Sequence, residues 1–348
     1  MVDLDLDLVD SYDYHLPEES IAQSPVEPRD SSRLMVIRRS DGSVCHRIFR
    51  DLVDFLRPGD LLVMNDTRVM RARLLGRKES GGSVEVFLLS PLDESRSAWT
   101  GMVRPGRKVR PGTVVRFSED PGHLAVIQER LPDGLRLVHF PGESGWEIAR
   151  TLGEVPLPPY IENRQVDGER YQTVYSDPSK ELSVASPTAG LHFTRELLSE
   201  LESRGVGRTF VTLNIGLGTF RPVKAQRASD HVMHLETCLV SADSARMIRE
   251  VKARGNRVVA VGTTVVRTLE SYAINPLEGE PFETDLFIRP GFRFRVVDAM
   301  ITNFHLPRST LLMLVAAFGG YDTVMGAYRE AVARGYRFFS FGDAMLLI

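Results

Sequence analysis

At 348 residues, with 43% apolar and 26% charged side chains, the chain has enough material for a sizeable core and for two domains. A formal charge of −3 argues against wholesale coating of nucleic acid but leaves room for a local basic face. Cys45 and Cys238 are the only cysteines and share no spacing pattern, so neither a disulfide framework nor a cysteine metal site is expected, and a reducing, cytoplasmic setting fits best.

The N-terminus, Met1-Val2-Asp3-Leu4-Asp5-Leu6-Asp7-Leu8, places acids where a signal peptide needs cations followed by an unbroken apolar run. The longest apolar run, 311–318, is far too short to span a bilayer, so a soluble protein is expected. Loop signals at Pro17, Pro25 and Pro28 precede a strand over 34–37, and Asp41-Gly42 reads as a hairpin turn into a second strand. Arg29, Asp30, Ser31 and Arg33 form a dense polar group just ahead of that first strand, which reads as a solvated turn.

From residue 61 the texture changes to short β-like runs at 61–64, 71–75, 84–89, 114–117, 124–128 and 135–140, separated by Gly/Pro-rich turns. That spacing predicts a small antiparallel barrel over 61–155, inserted into an α/β layered domain made of 1–60 and 156–348. Residues 57–116 carry 12 Lys/Arg against 6 Asp/Glu, a local excess suited to a phosphate-facing surface or to an ordinary solvated barrel face. Pro156-Leu157-Pro158-Pro159 cannot continue a helix and reads as the return linker.

After the linker, strands and helices alternate, as in an α/β layered domain. Ser186-Pro187-Thr188-Ala189-Gly190-Leu191-His192-Phe193-Thr194 is a turn-forming run ending in a histidine. Thr194 then caps a helix whose apolar face is Leu197, Leu198 and Leu201 and which Gly205 stops. Strands are expected at 208–215, 258–261, 296–302 and 336–341, and helices at 242–254, from Thr263 through Tyr272, 310–318 and 323–334.

Several strand ends carry polar groups. Gly262-Thr263-Thr264 follows a buried β run and opens a helix bearing Arg267 and Glu270, a start where free N–H groups and hydroxyls suit a carboxylate. It lacks a dinucleotide fingerprint. Thr302-Asn303-Phe304-His305-Leu306-Pro307 ends another strand, and Asn214 ends a third ahead of Gly216-x-Gly218-Thr219-Phe220. His231-x-x-His234-x-Glu236 has ligand types that suit zinc or iron, but the same residues serve as ordinary surface groups or as metal-free bases, and metal ranks last of the three. Polar groups converging from several strand ends imply a catalytic crevice.

Taken together, these stretches resemble the S-adenosylmethionine:tRNA ribosyltransferase-isomerase family of queuosine biosynthesis. The resemblance runs from Tyr12-Asp13-Tyr14-x-Leu16-Pro17 to Phe341-Gly342-Asp343-Ala344-Met345. It is carried most specifically by Ile21-Ala22-Gln23-x-Pro25, Arg29-Asp30-x-Ser32-Arg33-Leu34 and Asn65-x-Thr67-Arg68, then by Tyr171-Gln172-Thr173-Val174-Tyr175, Pro187-Thr188-Ala189-Gly190-Leu191-His192-Phe193-Thr194, Val261-Gly262-Thr263-Thr264 and Thr302-Asn303-Phe304-His305. Three positions depart from the family pattern. Leu182 stands where a glycine is usual, Ser186 where an alanine is usual, and Asn214 where a histidine is usual. Asparagine can hydrogen-bond but cannot take a proton, which bears on any general-base role there.

The resemblance implies transfer of the ribosyl group of S-adenosylmethionine to 7-aminomethyl-7-deazaguanine at the tRNA wobble position. Adenine and methionine leave, and the product is epoxyqueuosine. S-adenosylmethionine is then a consumed co-substrate, no cofactor or metal is required, and the expected assembly is a monomer or weak homo-oligomer. On this reading His192 is the first acid/base candidate and His305 the second. Thr188, Gly190, Thr263, Thr264 and Arg267 bind S-adenosylmethionine, with Glu236 or Glu270 at its ribose or sulfonium. Asn65, Arg68, Tyr171 and Asn303 surround the acceptor base, and Arg104, Arg107, Lys108 and Arg110 contact phosphates. Three competitors remain: a metal-dependent hydrolase, a non-catalytic RNA-binding module, and an RNA methyltransferase that would release S-adenosylhomocysteine.

Overall fold

The computed structural model describes residues 4–163, 166–216 and 223–348. In chain order, β1 (Arg33–Ile37), β2 (Val44–Ile48) and β3 (Leu61–Asn65) come first. They are followed by β4 (Arg68–Val69), β5 (Arg73–Lys78), β6 (Ser83–Pro91), β7 (Ala98–Arg104), β8 (Thr113–Arg116), β9 (Leu124–Arg130), β10 (Arg136–His139) and α1 (Gly145–Leu152). After β11 (Glu181–Ser183) come α2 (Arg195–Ser203), β12 (Gly207–Leu213), β13 (Glu236–Leu239), α3 (Ala242–Ala253), β14 (Val258–Val261) and α4 (Thr263–Ile274). The chain closes with β15 (Phe282–Thr284), β16 (Ala299–Asn303), α5 (Thr310–Gly319), α6 (Tyr321–Ala333) and β17 (Ala344–Leu347).

Two compact units result, Met1–Thr67 with Pro159–Lys180 and Ser186–Ile348, and Arg68–Pro158 with Glu181–Ala185. In the first, a nine-stranded sheet runs in the order β15-β13-β12-β3-β14-β16-β17-β1-β2. Its centre is parallel: β12, β3, β14 and β16 run the same way, so Leu213, Asn65, Val261 and Asn303 end at one edge. Central parallel strands are covered on both faces and therefore read as continuous apolar runs. β3 and β14 are buried at every position, and Val258-Val259-Ala260-Val261 is such a run. The helices form for local reasons visible in the sequence. The Thr194 side chain accepts from the Leu197 N–H at 3.1 Å, and Ser241 and Ser309 cap α3 and α5 in the same way, satisfying otherwise orphan donors. α2 buries Leu197, Leu198 and Leu201, and Gly205, at φ +82°, takes the left-handed position that ends it.

The second unit is a closed six-stranded barrel in the order β10-β7-β6-β5-β8-β9, with every neighbouring pair antiparallel. Its strands alternate inward and outward as a closed barrel requires, for example over Val84, Val86 and Leu88, and Trp99, Val103, Val138 and Phe140 fill the interior. Three expectations are corrected here. Residues 61–65 do not open the barrel but pair with β12 and β14 in the large sheet, where all five are buried. Residues 181–185 return to the barrel unit through pairing of β11 with β4. The last strand is β17, not 336–341. The aromatics there pack as edge-to-face and tilted rings, with Phe304 against Tyr328, Tyr336 and Phe338, and Phe339 turns the chain at φ +71°.

Gly153 sits against the barrel wall, where a Cβ would lie 2.0 Å from the Arg71 carbonyl oxygen and 2.5 Å from that of Ala149. Gly153→Ala should therefore lower unfolding free energy by about 1–3 kcal/mol in denaturant titration, the usual cost of overpacking. A variant as stable as the parent would show that the wall yields at this point.

Candidate active site at the strand ends

Each parallel strand delivers a polar group to the shared edge. At the end of β3, Asn65 Oδ1 accepts from the Leu213 and Thr67 N–H groups (3.1 and 3.2 Å) while its Nδ2 donates to the Leu213 carbonyl at 3.0 Å. Asn65, expected at the acceptor base, is thus spent stapling β3 to β12. Asp66 next to it accepts from Thr212 Oγ1 at 2.8 Å and pairs with Lys180. Thr67 Oγ1 shares its proton between Asn214 Oδ1 (3.2 Å) and the Lys180 carbonyl (3.3 Å), so the asparagine that replaces the expected histidine is held as an acceptor. The Gly218-Thr219-Phe220 part of the following motif lies outside the described residues.

β14 ends at Gly262, whose φ of +96° turns the chain directly into α4. Among the described residues no side chain caps that helix, so its first N–H groups lack side-chain partners, and Thr264 Oγ1 is buried without a partner. One turn on, Arg267 is buried and pairs with Glu236; its Nε donates to the Leu286 carbonyl at 3.1 Å, and its Nη2 has no partner among the described residues. Glu270 is different. It is fully buried and accepts from the Arg295, Val296 and Val297 N–H groups at 2.8, 3.1 and 3.0 Å, so its carboxylate anchors that segment and is not available to a ribose or sulfonium.

β16 ends at Asn303, which meets His192. Asn303 Nδ2 donates to the Phe339 carbonyl (3.2 Å) and to His192 Nε2 (3.1 Å). A carbonyl can only accept, which fixes the amide orientation, makes Nε2 the acceptor and leaves the proton on Nδ1. Nδ1 therefore donates to Ser32 Oγ at 2.7 Å. The ring stacks on Phe49 at 5.0 Å between centroids and is 4% exposed. Burial, reinforced by the charges of Arg337, Arg170 and Arg29, pushes its pKa down to about 3. His192 does not stand at the mouth of α2, because Thr194 already caps that helix. Instead it closes a tight turn, Thr188–His192. His305 is half-buried, with Nε2 bonded to Thr302 Oγ1 at 2.7 Å, Nδ1 without a partner among the described residues, and a pKa likewise pushed down to about 3 by burial.

Around the 188–192 turn lies a set of buried hydroxyls that the residue pattern did not single out. Thr173 Oγ1, Tyr175 OH and Ser186 Oγ, like Tyr171 OH, are buried and make no well-formed hydrogen bond among the described residues, although Thr173 lies within reach of Tyr175, and Ser340 and the Ser186 backbone within reach of Tyr171. A Cβ on Gly190 would fall 1.9 Å from Tyr175 OH, so this position must be glycine for the tyrosine to reach the turn. Ser186, a departure from the family pattern, adds one of these hydroxyls. Ser32 and Tyr175 were legible only as motif members. Thr188 starts the turn and is half-buried, and Tyr171 is fully buried, edge-on to Phe341.

In the barrel unit, Arg68 lies on β4, whereas Arg104, Arg107, Lys108 and Arg110 are all exposed and form no ion pair among the described residues. The His231, His234 and Glu236 constellation does not assemble. Glu236 is committed to Arg267, His231 packs edge-on to Phe287, and no group of three or more His, Cys, Asp or Glu among the described residues is placed to hold a metal. A cavity of about 580 Å³ lies elsewhere in the first unit, lined by Leu6, Asp7, Ser229, Phe287, Arg289 and Phe292 among others, and none of the expected site residues faces it.

Parallel strands ending on uncharged donors and neutral imidazoles, in a chain that also folds a barrel carrying exposed cations at 104–110, define an α/β enzyme with a polar strand-end site. A family model described as "Queuosine biosynthesis protein" matches residues 9–347. A relative from Thermotoga maritima named S-adenosylmethionine:tRNA ribosyltransferase-isomerase is 54% identical over 341 residues, covering 98% of this chain and 99% of that protein. The protein of the same name from Heliobacterium modesticaldum is 53% identical over 345 residues, covering 97% and 98%. A crystal structure of S-adenosylmethionine tRNA ribosyltransferase from Thermotoga maritima aligns with a TM-score of 0.56 at 44% identity, covering 97% of this chain and all of that one. This chain belongs to the queuosine biosynthesis protein family.

The depressed pKa of His192 has a consequence for stability. The unfolded imidazole binds a proton near pH 6.5 and the folded one only near pH 3, so between those values the unfolded state takes up more protons and stability falls as pH falls. Urea titrations from pH 7 to 4 should show a decline that is shallower in His192→Gln, by up to about 1.4 kcal/mol per pH unit. Parallel profiles for the two proteins would mean that His192 is not held neutral.

Proposed function

We propose that this enzyme transfers and isomerises the ribosyl moiety of S-adenosylmethionine onto 7-aminomethyl-7-deazaguanine at the wobble position of tRNA, giving epoxyqueuosine with release of adenine and methionine. The observation that carries the reading is end-to-end membership of the family, from residue 9 to residue 347, together with the family's motifs gathered at one sheet edge.

The chemistry sets four demands: a base for the C5′ proton that the sulfonium acidifies, a donor for the departing adenine, an uncharged attacking amine, and fixed donors for the methionine carboxylate. The uncapped start of α4, with Thr263, Thr264 and the spare Nη2 of Arg267, suits the carboxylate. Glu236 orients Arg267 rather than facing the sulfonium directly. The two imidazoles serve proton transfer. His305 offers Nδ1 as it stands, and His192 reaches substrate only by giving up Asn303, which is then free for the acceptor base. Thr188, Gly190 and the hydroxyls of Thr173, Tyr175 and Ser186 line the ribose side, and Tyr171 lies deeper. Arg104, Arg107, Lys108 and Arg110, with Arg68, contact tRNA phosphates. S-adenosylmethionine is consumed, so no resident cofactor or metal is needed. A cytoplasmic monomer or weak homo-oligomer fits a chain in which no single described helix is long and apolar enough to cross a membrane.

Incubation with S-adenosylmethionine and tRNA bearing the aminomethyl base should release adenine and methionine one for one with epoxyqueuosine, read by mass analysis of the tRNA and chromatography of the small products. S-adenosylhomocysteine among the products would overturn the reaction in favour of methyl transfer. In the same assay His305→Ala should lower kcat by at least ~100-fold with saturating tRNA, the usual range for a lost acid/base group. Near-normal turnover would remove His305 from proton transfer and leave His192 as the candidate.

For the barrel, log K for tRNA should fall linearly with log salt, and the combined Arg104→Ala, Arg107→Ala, Lys108→Ala and Arg110→Ala protein should show a slope shallower by about 2 to 4 units. An unchanged slope would place the phosphate contacts elsewhere.

A further inference from the structure

The Arg29-Asp30-x-Ser32-Arg33 motif, read from sequence as a solvated turn, is not one. Arg29 is half-buried, and its Nη1 donates to the Gln172 carbonyl at 2.8 Å and approaches that of Leu191, the neighbour of His192, at 3.5 Å, while Nη2 donates to the Glu169 carbonyl at 3.2 Å. Two further half-buried arginines converge on the same region. Arg170 Nη2 donates to the Val26 carbonyl at 2.8 Å, and Arg337 donates to the Ser24 carbonyl.

Nearby acids neutralise only part of this charge. Glu27 pairs with Arg170, Asp343 pairs with Arg33 and also takes the Arg337 backbone N–H at 2.8 Å, and Asp30 lies 3.6 Å from Arg50. Arg29 and Arg337 form no ion pair among the described residues, although Glu27 and Glu169 lie within electrostatic reach of Arg29 and Asp343 within reach of Arg337. Backbone carbonyls fix these guanidiniums in place without cancelling their charge. Burial and the neighbouring Arg170 bring the Arg29 pKa down to about 10, and burial lowers that of Arg337, as happens to cations short of counterions.

We propose that Arg29, Arg170 and Arg337 form an anion site beside His192 that takes a backbone phosphodiester of the tRNA flanking the nucleotide being modified. The proposal rests on the tRNA-modifying reading above and deepens it. S-adenosylmethionine is the poorer occupant, because its carboxylate would come with a sulfonium and an ammonium facing Arg29 and Arg337, which have no ion pair among the described residues. A phosphodiester carries one negative charge and no positive one, and its oxygens can accept from the guanidinium N–H groups that the carbonyls leave free. A contact of this kind sets the register of the strand, which places the target base at the strand ends without reading its sequence. The exposed barrel cations would supply general attraction, whereas this half-buried set would fix position.

The decisive test leaves the protein intact. Anticodon stem-loops carrying the aminomethyl base, each with one uncharged methylphosphonate linkage, are titrated against the wild-type enzyme. One of the two phosphates flanking the wobble nucleotide should weaken binding by ~10-fold or more when neutralised, as expected for a lost charge-assisted contact. In parallel, Arg29→Gln and Arg337→Gln should weaken stem-loop binding and flatten its salt dependence by about 0.7 per contact, with S-adenosylmethionine affinity unchanged by calorimetry. If neither flanking phosphate matters and both variants bind RNA normally, the arginines only hold the 22–33 segment and the proposal fails. Loss of S-adenosylmethionine affinity with RNA affinity kept would reassign them to the methionyl carboxylate. If the wild-type enzyme binds no tRNA at all, the underlying tRNA reading fails with it, an outcome distinct from either of these.

Discussion

Both nitrogens of the His192 imidazole are bonded inside the protein, and that suspension ties together segments far apart in the chain. Ser32 precedes β1, Asn303 ends β16, Phe339 follows α6, and the ring itself closes the turn ahead of α2. Each partner is placed by the large sheet. β16 and β17 run antiparallel and β17 and β1 parallel, so the end of one strand and the start of another meet at a single edge. Buried polar groups are costly unless every partner is present, and this chain of hydrogen bonds satisfies each member in turn. The site is therefore a by-product of strand order.

The arrangement also has a chemical consistency. A sulfonium nucleoside is a cation whose ribose must lose a proton and whose adenine must gain a donor. Burial keeps both His192 and His305 uncharged, so neither repels that cation, and either can offer a lone pair or a proton in a poorly solvated setting. Hydroxyls at Thr173, Tyr175, Ser186 and Thr264 make no well-formed hydrogen bond among the described residues, so hydrogen-bonding capacity remains in this region. Buried carboxylates are handled in the opposite way. Glu270 is saturated by backbone donors and Glu236 by Arg267, so negative charge is present but committed.

Much of the fold was legible in the sequence because its signals are local. Thr194, Ser241 and Ser309 mark helix starts by their capping oxygens, Val258-Val259-Ala260-Val261 reads as a buried strand, and the alternation in the barrel strands announces a closed antiparallel unit. The misreadings were of long-range partnership. Leu61-Leu62-Val63-Met64 has strand character in either unit, and only pairing with β12 and β14 assigns it. The aromatic run at 336–341 has β propensity, but its rings are used for packing against Phe304 and Tyr328. The site was legible as a set of motifs and not as a set of roles, because a motif names residue types without saying which hydrogen bonds they have already made.

What the sequence by itself determined is the family, the alternation of helices and strands, the presence of a small barrel with a basic stretch, and which stretches belong to the site. These follow from residue identity and short-range spacing. Tertiary structure alone decided that Glu270 is an anchor, that Asn65 is a staple, that the tautomer of His192 is set through Asn303, and that Arg29, Arg170 and Arg337 gather around it. Those outcomes depend on distances between residues tens to hundreds of positions apart, and a linear pattern of side chains carries no such distances until the sheet brings its strand ends together.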